Sequence, residues 1–215
     1  RHHLHKTSDY WFGTLLGALK VDLFMLTPSI SSPIGPGSDS EGIPIKFGNL
    51  NSYLVDSSQF GFEPLLMNDT EKVYCYLPSM RGENPDKRHL NQFFHCEAEI
   101  KGTLEELIPL IEGYIKALSE ALLGMPNIID CMSLNSAQSK ASLEEILNIT
   151  RFDRITFNDA CDILVKNGKE NLINVTEHGR DITSKGEIEL LTLLGKTTPL
   201  WVTHDDRDRV AFYQK

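Results

Sequence analysis

The sequence predicts an α+β fold in which an antiparallel sheet is flanked by helices. Three observations predict it. Strand-like runs cluster early, at residues 44–60 and 73–100, and again late, at 199–203 and 209–213. Between the two clusters lies a long apolar stripe at helical spacing, followed by shorter ones. Strands and helices do not alternate one for one, so the repeating crossover of a parallel sheet is not expected.

The chain has 215 residues, 40% of them hydrophobic and 24% charged, enough for one sizeable globular domain. The net charge of −9 excludes a general nucleic-acid coat, which needs a basic surface. Cys75, Cys96, Cys131 and Cys161 are scattered without a CxxC pair. That argues against a zinc ribbon or disulfide framework and for a reducing, cytoplasmic setting. No apolar run approaches the ~18 residues of a membrane span, and no leader-type apolar segment follows RHHLHK.

His2, His3 and His5 are read as a mobile terminus in preference to a metal site. From Tyr10 to Met25, Leu15, Leu16, Leu19, Leu23 and Phe24 recur at helical spacing. This predicts a helix that runs into a short strand stopping at Pro28. Ser31–Gly42, rich in Ser, Pro and Gly, is expected as a long loop able to cover a substrate. IPIKF, a turn at Gly48-Asn49 and SYLVDSSQF predict strand, turn and strand. A short helix is expected from near Phe62. Thr103 and Glu106 form a capping box opening a helix that ends at Gly124, with Pro109 as an awkward interruption. Residues 125–151 are ambiguous, with one helix expected over Ser142–Asn148. Thr156 caps a helix through Lys166 that ends at Gly168. Ser184 with Glu187 suggests a capping box for a helix stopping at Gly195. PLWVT and RVAFY are the last strand candidates.

The sequence lacks GxxxxGK[ST], GxGxxG and GxSxG, so any nucleotide site rests on side chains rather than a glycine cradle. The stretch Tyr74–Ile100 supplies such side chains. A first strand leads into Arg81, Glu83, Asp86, Lys87, Arg88 and His89. A second carries Phe93, Phe94, Glu97 and Glu99, with Cys96, Ala98 and Ile100 alternating. Guanidinium forks suit phosphate, and the carboxylates further in suit an ammonium group. On composition alone an ordinary solvated turn stays open as the other reading.

The order of these features resembles the catalytic domain of class II aminoacyl-tRNA synthetases, in the aspartate/asparagine/lysine subgroup. It is nearest to asparaginyl-tRNA synthetases and their asparagine-synthetase-like paralogues. The first motif of that family, a helix and strand ending in proline and used for dimerisation, is matched by the segment ending in Leu26-Thr27-Pro28. The Glu-Gly flap is matched by Glu41-Gly42, and the Ser-x-Gln strand by Ser57-Ser58-Gln59. The second motif (FRAE, a loop, RHLxEF, then ExE) is matched by MRGEN, the loop, RHLNQFF and EAE. ITFNDACDIL, GRDITSKGEIELL and PLWVTHDD…AFY follow in the family's order. Three departures stand out: Gln92 replaces a glutamate, Met80 a phenylalanine and Asp206 a proline.

The resemblance implies ATP-dependent activation of an amino acid, aspartate or asparagine, with Mg2+ as cofactor and tRNA as acceptor. An amide ligase of the asparagine-synthetase type and a non-catalytic binding module are the alternatives. It implies that Arg81 is catalytic, gripping the α-phosphate. Glu83, Arg88 and His89 would complete the ATP site, and Phe93 would stack on adenine. Glu41, Ser57, Gln59 and Glu97 would line the amino-acid pocket. It further implies a homodimer and a single catalytic domain over residues 1–215, without the N-terminal anticodon-binding domain or the C-terminal third motif.

Overall fold

The structure is a computed structural model that describes residues 1–31, 41–87 and 89–209. Most of the Ser31–Gly42 loop, Arg88, and the 209–213 strand beyond Arg209 lie outside the described residues. The chain divides into two compact units, one running to Leu110 and the other from Ile111.

The first unit opens with a helix. His2–Ser8 (α1) passes directly into a π-helical stretch, Asp9–Leu15. The chain is therefore helical where a mobile terminus is expected, and it leaves the helix well before Met25. Gly17, at φ +64°, takes a left-handed conformation that glycine adopts without strain. Leu19–Lys20 (β1) then pairs in parallel with a distant strand. The leucine spacing suggested that the helix continues, and long-range pairing overrides it. Leu26–Thr27 (β2) stops before Pro28 as expected and pairs with Leu50–Leu54 (β4). Pro44–Phe47 (β3) and β4 form a hairpin across Gly48, again left-handed at φ +61°. Gln59–Leu66 (α2) begins three residues earlier than Phe62.

Lys72–Met80 (β5) and Gln92–Ile100 (β6) are antiparallel throughout, from Lys72 opposite Ile100 to Met80 opposite Gln92. This is the hairpin expected from period-two alternation. One face of β5 carries Val73, Cys75 and Leu77 into a core shared with Val55 and Phe62. The other face holds the N-terminal helix. His5 stacks on Tyr76 at 4.0 Å between ring centroids, and Phe12 on Tyr74 at 5.5 Å. Tyr74 Oη donates to Asp9 (3.0 Å) and Tyr76 Oη to the His5 carbonyl (3.0 Å). These contacts order residues 2–15.

Leu104–Leu123 (α3) carries the chain onward, with Thr103 and Glu106 exchanging the expected capping-box bonds. It is unbroken at Pro109, whose missing N–H costs one bond early in the helix. The second unit holds Pro126–Met132 (α4) and Ser136–Asn148 (α5), two helices where one is expected. Asp153–Thr156 (β7) follows, then Phe157–Lys166 (α6) with the Thr156 capping box. Gly168 is left-handed at φ +69°. Ile173–Thr176 (β8) and Gly179–Ile182 (β9) form a second hairpin. In Ser184–Leu193 (α7) the cap is Thr183, which accepts from Gly186 N–H, rather than Ser184. Leu200–Thr203 (β10) pairs in parallel with β7. The core of this unit is built around Ala160, Leu164 and Leu190. Four of the pairings described are antiparallel, and β1·β5 and β7·β10 add parallel ones.

Candidate active site

The odd-numbered positions of the β5–β6 hairpin put Ser79, Phe93, His95, Glu97 and Glu99 on one face, because successive side chains of a strand alternate. Arg81 follows directly at the loop end. Its guanidinium carbon lies 5.5 Å from the Phe93 ring centroid. Arg81 Nε is buried and has no hydrogen-bond partner among the described residues. A buried donor of that kind normally has a partner, so this one is suited to an oxygen brought by a ligand.

The loop around Arg81 is tied down through the backbone. Arg81 N–H donates to the Asn91 carbonyl (2.9 Å), and Asn91 Nδ2 donates to the carbonyls of Arg81 (2.9 Å) and Glu83 (2.6 Å). Gly82 N–H donates to the Glu41 carbonyl at 2.7 Å. A Cβ at Gly82 would come within 3.2 Å of that oxygen, so glycine eases the approach. Glu41 N–H in turn donates to Glu83 Oε2 (3.0 Å). Glu41 is thereby attached to the turn of the hairpin.

At the inner end of the same face, Glu97 is gripped by the segment after β4. Ser57 Oγ donates to Oε1 at 2.6 Å, Ser58 N–H donates to Oε2 at 2.5 Å, and the Ser58 hydroxyl also bonds Oε2. Cys75 Sγ donates to Ser58 Oγ (3.2 Å). That segment is itself anchored. Buried Asp56 accepts from Ser31 N–H (3.2 Å) and Ser31 Oγ (2.5 Å). Glu97 is thus an oriented carboxylate whose donors are mainly neutral. Glu99, one step deeper, is half-buried. Burial, with Glu63 and Glu97 close by, pushes its carboxyl up to about 7.

The structure therefore brings together Arg81 with Phe93, Glu41 with Glu83, and Ser57 with Glu97. Gln59 N–H donates to Ser57 Oγ (3.2 Å). Gln59 Nε2 lies 3.5 Å from Glu63 Oε1 on its own helix. His89 is exposed and bonded to Asp86 through both its N–H (2.8 Å) and Nδ1 (2.9 Å). Arg88 lies outside the described residues. Sequence reasoning missed His95 as a site residue. Alternation alone could have found it, since it shares the face of Phe93 and Glu97.

Among the described residues no group of three or more His, Cys, Asp and Glu is arranged to hold a metal ion. The second unit has a cavity of about 400 Å³ walled by Phe157, Trp201, Asp181, Glu187 and Asp205. Its described lining has carboxylates but no cation, which does not suit a phosphate.

With this geometry the relatives can be read. The sequence profile of the class II tRNA synthetases (D, K and N) matches residues 26–215. The chain belongs to this family. A "Probable asparagine–tRNA ligase, cytoplasmic" of Encephalitozoon cuniculi is 28% identical over 169 residues, 77% of this chain and 36% of that protein. An aspartate–tRNA(Asp) ligase of Pyrococcus horikoshii is 30% identical over 173 residues, 79% of this chain and 35% of that one. The chain thus spans little more than a third of the length of these curated relatives. The crystal structure of asparaginyl-tRNA synthetase from Pyrococcus horikoshii complexed with asparaginyl-adenylate covers all of this chain. Its TM-score is 0.81 at 22% identity, over 45% of that protein. That likeness establishes the class II synthetase fold.

Proposed function

We propose that the hairpin unit activates aspartate or asparagine with ATP, giving an aminoacyl-adenylate and pyrophosphate. The observation that supports this reading best is Arg81 Nε, buried and without a partner among the described residues, beside the Phe93 ring on the same sheet face as the oriented Glu97. Four residues of strand separate Phe93 from Glu97, about 13 Å at ~3.3 Å per residue. A cationic, aromatic end and an anionic end are therefore held apart in a fixed relation. In this reading an oxygen of the amino-acid carboxylate attacks the α-phosphorus of ATP. The bond to the bridging oxygen of the β-phosphate breaks, and pyrophosphate leaves with that electron pair. Arg81 donates to the phosphoryl oxygens as charge builds there, Phe93 stacks on adenine, and Glu97 receives the substrate ammonium. Glu41, Glu83, Ser57, Gln59, Arg88 and His89 belong to the same proposal as lining residues.

The described residues do not form a magnesium cage of their own, and Mg2+ fits this reading as an ion carried mainly by the triphosphate. No helix among the described residues is long and apolar enough to cross a membrane. A cytoplasmic setting, tRNA as acceptor and a catalytic domain over 1–215 belong to the same reading. So does a homodimer. Tyr10, Leu15, Leu19, Phe24 and Met25 leave large apolar surface exposed in the first motif, Phe24 at 87%.

Amino-acid-dependent ATP–pyrophosphate exchange tests the reading. Exchange with aspartate or asparagine is expected, and Arg81→Ala should lower it about 100-fold or more with an unchanged unfolding midpoint. Exchange that survives Arg81→Ala would refute the assignment.

A further inference from the structure

His95 sits between the two ends of the site. It is half-buried, and its ring meets the edge of Phe93 at 5.1 Å between centroids. Its Nδ1 faces two oxygens, Ser79 Oγ at 3.2 Å and Glu97 Oε2 at 3.5 Å. Ser79 is fully buried on the neighbouring strand, so the ring edge is held from both strands.

We propose that His95 is a positioning residue that sets the charge Glu97 offers to the substrate ammonium. This rests on the reading of Glu97 as the ammonium's partner. A neutral imidazole accepts the Ser79 hydroxyl proton at Nδ1 and leaves Glu97 anionic, held only by the serines. An imidazolium directs Nδ1–H at Glu97 Oε2 and occupies the position of the ammonium's charge. Proton and amino acid therefore compete for one carboxylate. By linkage, binding the amino acid drives His95 toward its neutral form.

The charged groups facing His95 come from three segments. Glu97 on its own strand and Asp56 after β4 favour the imidazolium, and Arg81 opposes it. Burial is the largest effect, and the balance holds His95 below its usual value, hence neutral at pH 7. Glu99 on the same face titrates close to neutrality and acts on Glu97 as well. The comparison is therefore made in chains that carry Glu99→Gln.

The test is exchange kinetics with asparagine and aspartate from pH 5 to pH 8, with the KM for amino acid and for ATP measured separately. With His95 present, the amino-acid KM should rise roughly tenfold toward low pH, the scale of one charged hydrogen bond, while the KM for ATP changes little. His95→Gln and His95→Asn should both flatten that rise. Loss of packing alone would lower stability without removing the pH dependence. An independent readout is the His95 ring titration followed by NMR without ligand, whose midpoint should fall in Glu97→Gln. The same amino-acid KM profile with and without His95, or a midpoint indifferent to Glu97→Gln, overturns the assignment of His95 alone. Absence of amino-acid binding at every pH overturns the reading of Glu97 and this inference with it.

Discussion

Glu99 gives the sharpest quantitative expectation. Its carboxyl is moved from an ordinary 4.5 to about 7, first by burial and then by Glu63 and Glu97. The folded chain binds this proton more tightly than the unfolded chain does. The associated stability is therefore complete below pH 4.5 and is lost as the pH rises through about 7. At about 1.36 kcal/mol per pH unit the gap corresponds to roughly 3 kcal/mol. Glu99 keeps some contact with water, and screening reduces this to about 1–2 kcal/mol. Glu99→Gln removes the ionisable group while keeping its shape. Urea unfolding of both chains should give equal stabilities near pH 4.5 and a more stable variant, by about 1–2 kcal/mol, at pH 8. The denaturant slope should not change, since the surface exposed on unfolding is the same. Parallel stability–pH curves for the two chains, or a variant less stable at pH 8, would show that Glu99 is a satisfied anion and refute the reasoning.

The remaining expectations concern the two cores and the motif. Phe62 is wholly buried in the cluster with Val55, Val73, Cys75 and Leu77. Phe62→Ala should cost about 3–5 kcal/mol in denaturant unfolding, and a cost below ~1 kcal/mol would contradict the packing described. At Gly186 an added Cβ would meet Ile182 Cγ2 at 2.7 Å and the Leu172 carbonyl oxygen at 2.9 Å. Gly186→Ala should therefore destabilise the second unit by about 1–3 kcal/mol, read as a lower melting temperature. Arg81→Lys keeps the charge but not the planar fork, so exchange should fall well below wild type without loss of folding.

The parts legible in advance were those written in local periodicity or local chemistry. The hairpin from Lys72 to Ile100 follows from alternation, and the helix Leu104–Leu123 from its apolar stripe. The helix Phe157–Lys166 follows from its Thr156 cap and from Gly168, each a matter of a few neighbouring residues. The pairing of Arg81 with Phe93 was legible through the spelling of the second motif. The helical stretch over residues 2–9 was not, because it is held by Tyr74 and Tyr76, some seventy positions away. Leu19–Lys20 and Asp153–Thr156 are short strands that owe their existence to distant parallel partners, and no window of their own sequence contains that information.

What the sequence by itself determined is the family, the α+β class and the set of chemical groups, since motif order, side-chain type and periodicity are properties of the chain alone. Tertiary structure decided which of those groups act on one another. It anchored Glu41 to Glu83, closed Ser57 and Ser58 over Glu97, left Arg81 Nε without a partner among the described residues and placed His95 beside Glu97. Such relations depend on burial and on distances of about three ångströms between segments far apart in the chain, where a hydrogen bond is either formed or absent.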